Sequence, residues 1–260
     1  MPNQIAFCHR GPYRKPIHKA ADLWYTNSTF HAKEGIETEA RLTGIDRQET
    51  LRYLGFSGGP LPEAVLEQLE AAERELLRVS VPRAVWRLFD RGADGELSGT
   101  GFVPAGEDIK EFFKDCDQVI LMAATLGMEA ETLLRRTQAK DMAMALILDA
   151  AAGAAVENVC DNLCADLAEA FAPRFLTDRF SPGYGDLPLG QQEDLFRLLD
   201  ISRRIGVSLT ESGLMLPQKS VTALIGVSSR PQSRRGRGCD GCALSADCAY
   251  RKDGTSCGKA

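Results

Sequence analysis

Residues 179–186 read Arg179-Phe-Ser-Pro-Gly-Tyr184-Gly-Asp186. Pro182 fixes one backbone torsion, and Gly183 and Gly185 on either side of Tyr184 let the main chain turn tightly and approach a ligand closely. Arg179 offers a planar fork of N–H donors that matches a carboxylate, and Tyr184 offers a ring face and a hydroxyl. As a bare pattern, Ser181 to Pro188 is a rigid, turn-rich loop. Its company singles it out: Leu209-Thr-Glu-Ser212 follows, then Met215-Leu-Pro217 and Ser220-Val-Thr222.

Around this loop the chain alternates helical and extended signals. Leu176 to Phe180 is extended, and Gln191 to Leu199 is predicted helical. Val207 to Leu216 and Val221 to Val227 read as two β segments joined through Pro217 to Ser220. Upstream, Asp141 to Phe171 has the pattern of a long Ala-rich helix whose buried face is Leu146, Ala150, Val156, Val159, Leu163 and Leu167, with Pro173 ending it. Cys160 and Cys164, one turn apart, read there as small core residues. Gln118 to Gly127 is a continuous apolar run, predicted to be a buried strand, followed by a helix over Glu129 to Gln138. Earlier still, Asp46 caps a short helix that stops at Gly55. Glu63 to Val79 is an amphipathic helix with Val65, Leu66, Leu69, Leu76 and Leu77 on one face. Pro82 to Phe89 reads as a strand with a turn at Asp94-Gly95, and Glu107 to Asp115 as a short helix. The sum is an α+β domain over residues 42–229.

The 260 residues carry a net charge of −5, unevenly spread: −11 over residues 42–229, +2 over 1–41 and +4 over 230–260. An acidic body argues against binding nucleic acid with the whole surface. Residues 1–41 show no period and are read as a disordered tail or an extension from a misplaced start; Cys8, His9 and His18 there match no common ligand spacing. The three histidines are His9, His18 and His31, so the body holds no imidazole for a Ser–His–Asp or Cys–His nucleophile or a His-ligated zinc. The most apolar stretch, Met142 to Val156, is broken by Asp149, so no membrane span is expected. No secretory leader is visible, and eight cysteines without one indicate a reducing compartment; a cytoplasmic protein is expected.

The ordered motifs RFSPGY, LTES and MLPQKSVT resemble, in order and spacing, the activation domain of cobalamin-dependent methionine synthase, and Thr125-Leu-Gly127 with the long helix after it suits short relatives of that domain. The resemblance is sharp over residues 174–228 and extends back to about residue 45. It implies an antiparallel sheet with flanking helices and an S-adenosylmethionine site at the loop. Arg179 would take the ligand carboxylate. Backbone at Ser181, Gly183 and Tyr184 would address adenine and ribose, and Glu157 or Glu211 would meet the ammonium and sulfonium. It further implies a role in trans as a methyl donor site that restores an oxidised cobalamin after one-electron reduction. The partners would be a cobalamin-binding methionine synthase or other corrinoid protein and a flavodoxin or ferredoxin-like electron donor, with no nucleic acid and no membrane. The body offers no side-chain nucleophile, which fits a role of positioning alone.

Residues 230–260 are a basic linker ending in Cys239-x2-Cys242-x5-Cys248-x8-Cys257, four thiols that fit one metal centre. Zinc would make it a structural knuckle and a [4Fe–4S] cluster an electron relay, and the spacing does not choose between them. An alternative reading of the chain is a zinc-tipped adaptor without ligand chemistry. A nucleic-acid binder is disfavoured by the acidic body and by Tyr250 being the one aromatic residue in the tip.

Overall fold

The computed structural model describes residues 34–56 and 59–232. In chain order its elements are β1 (Glu34–Glu39), α1 (Arg47–Tyr53), α2 (Glu63–Val79), β2 (Arg83–Asp90), α3 (Glu107–Phe112), β3 (Gln118–Thr125), α4 (Met128–Gln138), α5 (Met142–Ala170), β4 (Phe175–Leu176), α6 (Gln192–Leu199), α7 (Ile201–Ile205), a hairpin of β5 (Ser208–Leu209) and β6 (Met215–Leu216), and β7 (Ser220–Ser228). Five strands form one sheet in the order β1-β2-β3-β7-β4, antiparallel at every junction.

The two central strands are buried along their whole length, as expected when both faces of a sheet are covered. Strand alternation sorts their side chains into two cores. Ile120, Met122, Ala124, Val221, Ala223 and Ile225 face the first, closed by α1, α2, α4 and α5. Val119, Leu121, Ala123 and Leu224 face the second, closed by α6 and α7 with Ile109 and Phe113 of the α3 segment. This is the mixed α+β architecture expected from the sequence.

α5 is the spine of the first layer. Asp141 caps it by accepting from the Met144 N–H, and Ala151, Ala152 and Ala155 let the neighbouring elements approach closely. By length and composition α5 is apolar enough to cross a membrane, despite Asp149; in this fold 67% of that apolar window is buried inside the protein. Leu146, placed by periodicity on the buried face, is 64% exposed; Ile147 and Leu148 take the core positions instead. Leu77 of α2 is likewise exposed, while Leu69, Ala72 and Leu76 carry the contact.

Three segments differ from the sequence reading. β1 lies upstream of residue 42, so the sheet takes in part of the stretch read as a tail. Val207 to Leu216 is not one β segment: the chain reverses at Thr210 to Gly213 and pairs β5 with β6. After α6 the chain forms α7, because Asp200 adopts a left-handed conformation that breaks the helix and restarts it in a new direction.

Gly226 of β7 lies beneath Phe113 and Cys116. A Cβ there would come within 2.5 Å of Cys116 Sγ and 2.9 Å of Phe113 Cδ1. Gly226→Ala should therefore cost about 1–3 kcal/mol through overpacking, measured as a lower urea midpoint; a midpoint equal to wild type would show that this face of the sheet can yield.

Candidate functional site

The segment leaving β4 is extended, so Arg179 and Phe180 point to opposite faces of the sheet. Phe180 pairs its backbone with Leu224 through N–H···O bonds of 2.9 and 2.8 Å and buries its ring in the second core. Arg179 turns toward α5. Its Nη2 donates to Glu157 Oε2 at 2.7 Å and its Nη1 to Asp161 Oδ1 at 2.9 Å, with Cys164 Sγ at 3.5 Å. Glu157, Asp161 and Cys164 follow one another at one-turn spacing on one stripe of α5.

Arg179, expected to meet a ligand carboxylate, and Glu157, expected to meet a ligand cation, pair with each other in the structure. The Arg179 side chain is 6% exposed and that of Glu157 9%, and each is the other's partner. Two carboxylates one turn apart repel; the guanidinium between them offsets that repulsion, and the three side chains together carry a net charge of −1. Burial alone would lower the Arg179 pKa, and the surrounding thiols and carboxylates outweigh it and hold the group well above its ordinary value. Burial pushes the Cys164 thiol up, against the lowering influence of Arg179, and Cys160 further, so neither is poised as a nucleophile at neutral pH.

Beyond Phe180 the loop closes on itself. Tyr184 N–H donates to the Ser181 carbonyl at 3.0 Å, and Gly183 N–H to Leu187 O at 2.9 Å. The backbone donors of Gly183 and Tyr184 are thus spent inside the turn, as is the Ser181 carbonyl. The Tyr184 ring rests edge-on against Phe180, 5.3 Å between centroids, and remains exposed. Gly183 has a φ of +86°, which favours glycine.

Glu211 lies in the exposed tip of the β5–β6 hairpin. Leu189 brings the tip and the loop together: Cβ atoms built on Gly183 and Gly213 would both touch its side chain, at 3.4 and 3.6 Å. Gln192 fixes the hairpin further, with its Nε2 donating to Gly213 O at 3.1 Å. Tyr184, Leu189 and Leu214, each next to or against Gly183 or Gly213, are all exposed. Asp161 and Leu189 were not singled out in the sequence. Asp161 was findable, since it follows Glu157 by four residues on a helix; Leu189 was not, because its role comes from two glycines far apart in the chain. The motif Pro217 to Thr222 is structural at this end of the sheet: the buried Ser220 hydroxyl donates to Pro217 O at 2.7 Å and shares a hydrogen bond of 2.8 Å with the Thr125 hydroxyl. Cys239, Cys242, Cys248 and Cys257 lie outside the described residues. Among the described residues no group of three or more His, Cys, Asp or Glu is arranged to hold a metal ion.

An antiparallel sheet between helical layers, with a glycine-rich loop at its edge, defines an α+β domain. The particular kinship comes from comparison. Residues 110–235 match the family model of the vitamin B12 dependent methionine synthase activation domain. The fold is similar to a crystal structure of the MetH reactivation domain bound to AdoHcy, at 19% identity over 87% of each chain, with a TM-score of 0.56. None of the curated proteins matches the chain. Over residues 110–235 the chain is thus similar to that activation domain, and its fold is similar to that of the solved reactivation domain.

Removing Arg179 leaves Glu157 and Asp161 with a buried, uncompensated charge. Arg179→Ala should destabilise the fold by about 3–5 kcal/mol, read from urea unfolding. A loss below 1 kcal/mol, within the range of an exposed pair, would mean that water reaches the cluster.

Tyr53 of α1 packs its ring on α5, where a Cβ on Gly153 would lie 3.4 Å from Tyr53 Cε2. Burial, helped by the charge of Glu157, holds its hydroxyl proton well above the ordinary range. The folded state thus keeps a proton that the unfolded chain releases, so this contribution to stability falls as pH rises past about 10. The loss should be smaller in Tyr53→Phe; equal alkaline loss in the two proteins would place the cause elsewhere.

Proposed function

We propose that this chain binds S-adenosylmethionine at the Arg179–Asp186 loop and presents its methyl group to the cobalamin of a partner protein, restoring a methionine synthase or related corrinoid methyltransferase after one-electron reduction. The observation that carries the reading is the loop itself. It stands at the edge of the sheet in a domain similar to the methionine synthase activation domain, anchored by Arg179 and Phe180 and exposing Tyr184.

The residues present fit such a ligand. The Glu157–Asp161–Arg179 cluster has one negative charge in excess, which suits the sulfonium and ammonium of S-adenosylmethionine better than its carboxylate. The exposed ring of Tyr184 suits stacking by adenine, with Leu189 beside it to exclude water. Glu211 on the hairpin tip stands as a second anionic group for the cationic end. S-adenosylmethionine supplies an electrophilic methyl, which passes to reduced cobalamin with release of S-adenosylhomocysteine. The chain's own contribution is to hold the ligand still, with its sulfonium turned outward and water kept from the transfer. No side chain gains or loses a proton. The solved reactivation domain of similar fold is bound to AdoHcy, the demethylated form of this ligand, which supports the same choice. An electron donor of the flavodoxin or ferredoxin kind belongs to the reading as the source of the single electron.

Titration calorimetry of the full chain with S-adenosylmethionine tests this. Wild type should release heat at one site. Tyr184→Ala should weaken binding by about 1–3 kcal/mol, the value of one base–aromatic stack, without lowering the melting temperature. No heat from wild type at millimolar ligand would overturn the reading and leave an adaptor without ligand chemistry.

A further inference from the structure

α3 begins at Gly106, which has no side chain to cap it, and its first amide donors would otherwise face water. The cap comes from the ligand loop instead. Asp186 Oδ2 accepts from the Glu107 N–H at 2.6 Å, and Asp186 Oδ1 accepts from the Asp108 N–H at 3.1 Å. The contact depends on two glycines. A Cβ on Gly106 would lie 2.4 Å from Asp186 Oδ1, and a Cβ on Gly185 would lie 2.5 Å from Asp108 Oδ2. Both glycines have positive φ, +123° and +56°. The two backbones thus interlock where neither tolerates a side chain, 79 residues apart in sequence. The same junction is held one step further along by Gln191, whose Oε1 accepts from the Ala105 N–H at 2.8 Å and whose Nε2 donates to the Val103 carbonyl at 2.9 Å.

We infer that Asp186 is a positioning residue: by capping α3 it fixes the far end of the loop that carries Tyr184, and so sets the affinity for the ligand. Arg179 and Phe180 hold the near end of the loop, and Leu187 is buried just after Asp186. Between these anchors Gly183, Tyr184 and Gly185 face solvent and Ser181 is half-buried. A loop fixed at both ends loses little entropy when a ligand orders it, and one fixed only at its start loses more. The inference rests on the proposed binding of S-adenosylmethionine for its functional consequence, and on the cap alone for its structural one.

The experiment uses the full chain as wild type, Asp186→Ala and Asp186→Asn. Each is read by calorimetry with S-adenosylmethionine, by thermal melting and by amide hydrogen exchange. Asp186→Ala should weaken binding by about 2- to 30-fold, the span of free energy carried by one helix cap, while still melting cooperatively. Asp186→Asn retains an acceptor oxygen and should recover most of the loss, which a merely structural defect would not do. In Asp186→Ala the amides of Glu107, Asp108, Gly183 and Leu187 should lose protection together. Unchanged affinity in Asp186→Ala would overturn the inference, as would unchanged protection of the loop amides. If wild type itself does not bind, the functional reading fails, and coupled loss of protection across α3 and the loop still decides whether Asp186 fixes the loop.

Discussion

The guanidinium of Arg179, seated between Glu157 and Asp161, is the contact on which the arrangement of this end of the molecule depends. It ties the strand that leaves α5 back onto α5 itself. One residue further on, Phe180 enters the opposite core and bonds to Leu224 of the central strand. Consecutive residues of an extended chain thus grip both faces of the sheet. The glycine-rich loop starts from a fixed point and a fixed direction, and its turn follows from Pro182 and Gly183. Had Arg179 been solvated, this start would hinge on β4, which is only two residues long.

The same contact sets the electrostatics. A lone buried arginine would attract anions to the loop; flanked by two carboxylates it presents the opposite sign. Desolvation makes such a cluster costly to build, and its benefit to stability is small beside a well-packed apolar alternative. Its presence is more readily understood as a device for fixing position and charge than as a source of stability. The low reactivity of the two neighbouring thiols follows from the same burial, and the nearby charge of Arg179 only tempers it.

Much of the fold was legible because local signals and tertiary packing agree. Asp46 and Asp141 act as the caps their positions suggest, and the apolar run from Val119 is buried on both faces. The misreadings fall where local signals are weak or a distant partner decides. β1 is a short edge strand whose place comes from pairing with β2. α7 went unread because it is five residues long and is set off by one left-handed aspartate, which leaves no trace in a hydrophobic pattern. The site divides in the same way. The loop was visible in its glycines, proline and tyrosine, and the structure brings Glu157 against Arg179 at its start. The pairing of Arg179 with Glu157 and Asp161 was not legible, because a guanidinium that pairs with protein carboxylates and one that pairs with a ligand carboxylate look the same in sequence. Asp186 gives no sequence signal at all, since the helix it caps begins 79 residues earlier.

The sheet also imposes an order of assembly. β7 is the last of the described strands along the chain, yet it lies inside the sheet, with β3 on one side and β4 on the other. During synthesis, β1, β2 and β3 emerge while one long edge of β3, apolar on both faces from Val119 to Ala124, has no partner. That edge stays open until the ribosome has passed Ser228, more than a hundred residues later. An exposed apolar edge is a template for pairing with other chains. The nascent protein therefore has a long interval in which it is a client for chaperones, and truncation before β7 yields an aggregating fragment rather than a smaller domain.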